Sequence, residues 1–170
     1  MLSLEGRCKT LDASANGYVR AEACGVFILQ ASPASDSTAG HEAPYSHTDG
    51  NFIARLVGSA VNQDGRSSSL TAPNGPAQQR VMKEALAGIL PSGAGGGGIG
   101  GMLNPSDIVA LSMHGTGTPL GDPIEVGAAV AVLMPPDAGY KSGSPRAPVA
   151  FMSSKSWFGH AEPASGVKYV

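Results

Sequence analysis

The chain has 170 residues, a formal net charge of −2, 42% hydrophobic residues and 14% charged residues. That length suits one domain or part of one, the apolar content excludes a disordered chain, and the charge balance offers no basic surface for nucleic acid or an anionic membrane. No apolar run approaches the ~18 residues of a membrane span, the N-terminus lacks a secretory pattern, and two cysteines, Cys8 and Cys24, make no disulfide framework, so a reducing, cytoplasmic setting is the default, with an organelle left open.

In chain order, residues 12–17 are turn-rich, and Asn16-Gly17 is predicted as a tight turn because both residues tolerate positive φ. Tyr18-Val19-Arg20 and Gly25-Val26-Phe27-Ile28-Leu29 read as extended, the second as a buried strand. Residues 31–50 mix Ser, Pro, Ala and His without a period and read as a surface loop or insertion. Phe52 to Val61 is predicted as a strand that runs into the polar loop 62–69. A helix starts at Asn74-Gly75-Pro76: Asn74 or Gly75 caps it, Pro76 suits its first turn, and Val81, Met82, Ala85, Leu86 and Ile89 form an apolar face. Pro91 ends it. Residues 92–101 are a glycine-rich linker in which Gly93, Gly95 and Gly98 match the GxGxxG dinucleotide fingerprint by letter. No strand leads into them and no capped helix follows, so the match carries no weight.

Ile108 to Leu111 is predicted as a strand feeding Ser112-Met113-His114-Gly115-Thr116-Gly117-Thr118-Pro119-Leu120-Gly121-Asp122-Pro123-Ile124-Glu125. His114 then sits at a strand end, on a turn of glycines and threonines, where ligands gather in α/β proteins. Asp122 reads as the N-cap of a helix over 123–134, with Pro123 at its first position and Glu125 completing a capping box. Pro135-Pro136 stops it, and 135–148 is another irregular loop. Val149 to Ser153 is a second strand, Lys155 to Gly159 its strand-end loop, and His160 opens a last helix. Two strand–loop–helix units thus carry histidines at corresponding points. That argues for a mostly parallel α/β sheet with His114 and His160 on one rim. A zinc site is the other reading of paired histidines, but no HxxxH or CxxC spacing supports it, and His41 and His47 fall in the 31–50 loop, so no metal is expected. Gly115-x-Gly117 lacks the third glycine and the lysine of a phosphate cradle.

Six ordered blocks carry a family resemblance: Arg7-Cys8-Lys9-Thr10-Leu11-Asp12-Ala13, Gly17-Tyr18-Val19-Arg20-Ala21-Glu22, Gly58-Ser59-Ala60-Val61-Asn62-Gln63-Asp64-Gly65, Leu70-Thr71-Ala72-Pro73-Asn74-Gly75-Pro76-Ala77-Gln78, His114-Gly115-Thr116-Gly117-Thr118, and Lys155 with Gly159-His160-Ala161-Glu162. Together they closely resemble the β-ketoacyl synthase (ketosynthase) domain of modular type I polyketide synthases. The likeness makes 1–170 one partial domain, with 31–50, 92–106 and 135–148 as variable loops or insertions. It implies a thiolase-like α/β fold layered α/β/α/β/α, here incomplete, lacking most of the N-terminal half and the extreme C-terminus. It also implies decarboxylative Claisen condensation in polyketide or fatty acid biosynthesis, with no directly bound cofactor. The substrates ride on the phosphopantetheine of an acyl carrier protein; other synthase modules are further partners, and the whole domain is a homodimer.

By the same resemblance, His114 and His160 match the two catalytic histidines and Lys155 the active-site lysine. Thr116 and Thr118 match the threonines that contact the phosphopantetheine arm. Glu162 matches an acidic residue that follows the second histidine and supports the site from behind the groups that touch substrate. The family's nucleophilic cysteine lies in a Thr-Ala-Cys-Ser-Ser pattern that this sequence does not contain, and Cys8 and Cys24 fall at other points. The chain alone is therefore expected to be inactive; the alternative is a degenerate remnant acting as a scaffold or dimer-interface piece. Departures from the family pattern include Trp157, Phe158, Pro163, Ser112-Met113, Ala21 and Ala23.

Overall fold

The computed structural model describes residues 2–29, 53–54, 56–67, 69, 72–87, 105–135 and 148–169. The insertion at 31–50, Ile89, Pro91, the glycine linker and most of the 135–148 loop lie outside them. At the centre are two parallel strands, β1 (Ala110–Ser112) and β2 (Ala150–Met152), in the register Ala110 to Ala150, Leu111 to Phe151 and Ser112 to Met152. The ladder runs on at both ends: the Ala150 N–H donates to Val109 O at 2.9 Å, and the Met113 N–H to Met152 O at 2.8 Å. Both strands are shorter than the apolar runs that announce them, but their parallel pairing is as expected.

Two helices follow the expected pattern. α1 (Gly75–Ala87) is capped by Asn74, whose Oδ1 accepts the Ala77 N–H at 3.1 Å. The Asn74 amide also donates to Asp64 O at 2.6 Å, fixing the preceding loop to the helix start. α2 (Gly121–Leu133) crosses between β1 and β2 and packs on α1. Its small residues let the two helices close up: Ala128 and Ala129 are buried beside Val132 and Leu133, and Ile124 meets α1 at Gly75.

The capping box at α2 does not form. The helix starts at Gly121, its N-cap is Leu120, and no side chain caps it there. Thr118 Oγ1 takes the Gly121 N–H at 3.1 Å instead. Asp122 is only 4% exposed, turned inward by backbone N–H groups from two other segments.

Three further expectations are corrected. The chain turns at Asp12 rather than Asn16-Gly17: the Ala15 N–H reaches Asp12 O at 3.0 Å and the Ser14 N–H reaches Asp12 Oδ1 at 2.7 Å. Gly25–Leu29 and the described part of 52–61 form no strand, and Val26, Ile28, Ile53 and Val61 are exposed. An apolar run becomes a strand only when a neighbour takes its N–H and C=O groups, and none does so among the described residues. After His160 the chain makes a 3-10 run, Glu162–Tyr169, rather than an α-helix.

The N-terminal segment supplies a partner that periodicity does not reveal. Tyr18–Arg20 is extended as predicted, and Arg20 forms a parallel bridge with His160. The His160 N–H donates to Val19 O at 2.7 Å and the Ala21 N–H to His160 O at 2.9 Å. Cys8, Met113 and Ala161 are buried in the small core beside these segments.

Candidate active site

β1 and β2 run the same way, so their carboxyl ends deliver two loops to one place. The first is the turn 113–120. Gly115 and Gly117 take φ of +46° and +77°, where a side chain is disfavoured. Space demands glycine there too: a Cβ on Gly117 would lie 2.5 Å from Lys9 N, and one on Gly115 would lie 2.7 Å from Ser153 Cβ. Thr10 Oγ1 donates to Gly115 O at 2.6 Å, clamping the N-terminal loop over the turn.

Two carboxylates of α2 hold this turn by its backbone. Glu125 accepts the His114 N–H at 2.5 Å and the Gly115 N–H at 2.9 Å, one on each oxygen. Asp122 accepts the Gly117 N–H at 3.1 Å and the Leu11 N–H at 2.9 Å, again one on each. By sequence both acids read as helix caps. The signal that points to their actual role is an acidic pair one helical turn apart beside a glycine turn rich in unpaired N–H groups.

The second loop is α3 (Lys155–Phe158), a single turn after β2, closed by Gly159 at φ +76°. Lys155 is 1% exposed. Trp157 does not crowd it: Trp157 is 82% exposed and lies edge-on to Phe158, ring centroids 6.4 Å apart.

The two loops bring His114 and His160 together. Their ring centroids are 5.2 Å apart, at an interplanar angle of 86°. His114 is open to solvent on one side, yet burial of the other, followed by the Lys155 charge, lowers its pKa below 6.5, with Asp122 opposing. Its imidazole is therefore neutral at pH 7. His160 Nδ1 accepts the Glu162 N–H at 3.0 Å, which leaves the ring proton on Nε2. Thr116 is buried, and its hydroxyl lies 3.4 Å from that of Thr118. His114 and Thr116 border a cleft of about 520 Å³, walled on the far side by Pro73, Val81 and Met82. Val81 and Met82 of the apolar face predicted for α1 thus line this cleft half-buried, and the buried residue of the helix is Ala77. Glu162 lies outside the cleft, paired with Arg20. Among the described residues no group of three or more His, Cys, Asp or Glu could hold a metal ion, and no helix is long and apolar enough to cross a membrane.

The architecture matches solved ketosynthases. It aligns with a ketosynthase domain of the oxazolomycin system of Streptomyces albus at a TM-score of 0.62 and 27% identity, over 98% of this chain and 25% of that one. It aligns with the module 6 ketosynthase of the bacillaene synthase of Bacillus subtilis at a TM-score of 0.60 and 27% identity, over 98% of this chain and 25% of that one. These are thiolase-like folds. Residues 53–95 and 99–170 match the family model of the β-ketoacyl synthase C-terminal domain, and 1–34 that of the N-terminal domain. The chain belongs to the β-ketoacyl synthase family. It is 42% identical over 99% of its length to the mycoketide-CoA synthase of Mycobacterium tuberculosis, and 39% identical over 99% to the erythronolide synthase EryA3 of Saccharopolyspora erythraea. It spans 3% and 4% of those two proteins.

Proposed function

We propose that this chain supplies the histidine and lysine side of a polyketide ketosynthase active site. The observation that carries the reading is the near-perpendicular meeting of His114 and His160 on the loops that leave two parallel strands. In the reaction, a malonyl-type thioester on an acyl carrier protein loses CO2. The electrons of the broken C–C bond pass into an enolate whose charge gathers on the thioester oxygen. Two neutral imidazoles that donate N–H bonds stabilise that oxygen without offering a strong acid to quench the carbanion. His114 is suited to this by its lowered pKa, and His160 by a tautomer with the proton on Nε2. Buried Lys155 adds a positive field that opposes a second cation on His114. Thr116 and Thr118 hold the phosphopantetheine arm beside the cleft.

The enolate carbon then attacks an acyl-cysteine; a C–C bond forms and the thiolate leaves. Cys8 is a poor candidate for that sulfur, being 3% exposed with Sγ held between the N–H and C=O of Val19. Cys24 is exposed but lacks the family's flanking pattern. The chain alone therefore does not condense, and its partners are an acyl carrier protein, neighbouring synthase modules and a second copy of the whole domain in a cytoplasmic assembly. Exposed Val26, Ile28, Ile53 and Val61 favour a second reading, a non-catalytic scaffold piece.

A chimera separates the two. This chain replaces its matching segment in a ketosynthase domain of the erythronolide synthase EryA3. Acyl and malonyl carrier-protein thioesters should give a β-ketoacyl product that His114→Ala abolishes. A folded chimera without product establishes the scaffold reading, and a His114-dependent product from 1–170 by itself overturns its inactivity.

A further inference from the structure

Glu162 takes φ +49°, a left-handed conformation that a non-glycine residue keeps only when its surroundings enforce it. The bend divides its two ends between two tasks. Its N–H points back to His160 Nδ1 at 3.0 Å. Its carboxylate reaches the other way, accepting Arg20 Nε–H at 2.8 Å and the Tyr18 hydroxyl at 3.5 Å, both on Oε1. The Tyr18 ring also lies edge-on to the His160 ring, centroids 5.2 Å apart at 63°. All four groups meet because Tyr18–Arg20 runs as an extended segment bridged to His160.

We infer that Arg20 and Tyr18 are positioning residues: by holding the Glu162 carboxylate they keep its backbone in the left-handed bend that places its N–H on His160 Nδ1, fixing His160 as an Nε2–H donor. A neutral imidazole has two tautomers, and only one donates from Nε2. A backbone N–H cannot be received by a protonated Nδ1, so the bond selects the tautomer and opposes the imidazolium. The backbone bridge from Val19 and Ala21 sets where the His160 main chain lies; the clamp sets which ring nitrogen carries the proton. The inference gives the catalytic His160 its donor atom and rests on the proposed function for that meaning, while its test reads the imidazole directly.

The full chain is labelled with 15N-histidine and held at pH 8, where an ordinary imidazole is neutral. Long-range proton–nitrogen spectra should show one His160 tautomer, with an acceptor-type Nδ1 and a protonated Nε2. In Arg20→Ala the two ring nitrogens should shift toward values averaged over both tautomers, while the His114 resonances stay in place. Arg20 is exposed, so this variant keeps its fold. Adding Glu162→Gly to Arg20→Ala should restore the single tautomer, because glycine adopts positive φ without a clamp. An undisturbed tautomer in Arg20→Ala, or no restoration in the double variant, overturns the proposal. Should Arg20→Ala lose the His114 signals too, Tyr18→Phe carries the same test: a single unchanged tautomer there overturns it. In the chimera, Arg20→Ala should lower kcat with KM unchanged. A tautomer change with full turnover would leave the clamp standing and remove His160 from the chemistry.

Discussion

Asp122→Ala tests the way the site is held. Its carboxylate is 4% exposed and ties three segments: α2 carries it, the Gly117 N–H meets one oxygen, and the Leu11 N–H meets the other. Alanine leaves both donors without it. The Gly117 bond is buried, so its N–H loses its partner where water does not reach, at about 1–3 kcal/mol. Leu11 is exposed and regains water, so its bond is worth about 1 kcal/mol net. The sum is about 2–4 kcal/mol. Amide exchange of Gly117 reads it as an acceleration of about 30- to 700-fold, at about 1.4 kcal/mol per tenfold. Asp122→Asn keeps one acceptor oxygen and should fall between. Exchange within about twofold of the parent in Asp122→Ala would refute the assignment of Asp122 as the tie.

Two other outcomes follow from the same geometry. Gly117→Ala puts a Cβ 2.5 Å from Lys9 N at φ +77°; the N-terminal loop must leave the turn, so limited proteolysis should cut near Lys9, and uncut protein would contradict the close approach. His114 has a folded pKa below its unfolded value near 6.5, so it contributes stability at full strength above that value, and loses it as pH falls toward the folded pKa. The melting temperature should therefore fall more between pH 8 and pH 5.5 in the parent than in His114→Gln; a larger fall in the variant would reverse the sign.

Legibility in the sequence tracked how local each determinant was. The β1–α2–β2 unit could be read because two short apolar runs and a helix of small apolar residues are self-contained patterns; His114 follows directly from its strand end, and His160 from the loop that leaves the second strand. Asn74 could be read as a cap because its partner is three residues away. Gly25–Leu29 could not be read: an apolar run specifies burial in general, and its backbone pairing depends on a neighbour distant in sequence. Asp122 misled for a related reason. Its spacing suits a cap, yet donors at Leu11 and Gly117 compete for the same oxygens and win. Arg20 and Tyr18 gave no signal beside His160, since only the bridge across the fold brings them together.

The two acids of α2 also limit what kind of proton traffic this rim can support. All four of their carboxylate oxygens are engaged by backbone N–H groups. With both oxygens committed to fixed backbone donors, each acid works as a strut of the turn. On the proposed chemistry, the proton donors nearest a nascent carbanion are then the imidazoles, Lys155 and the threonine hydroxyls.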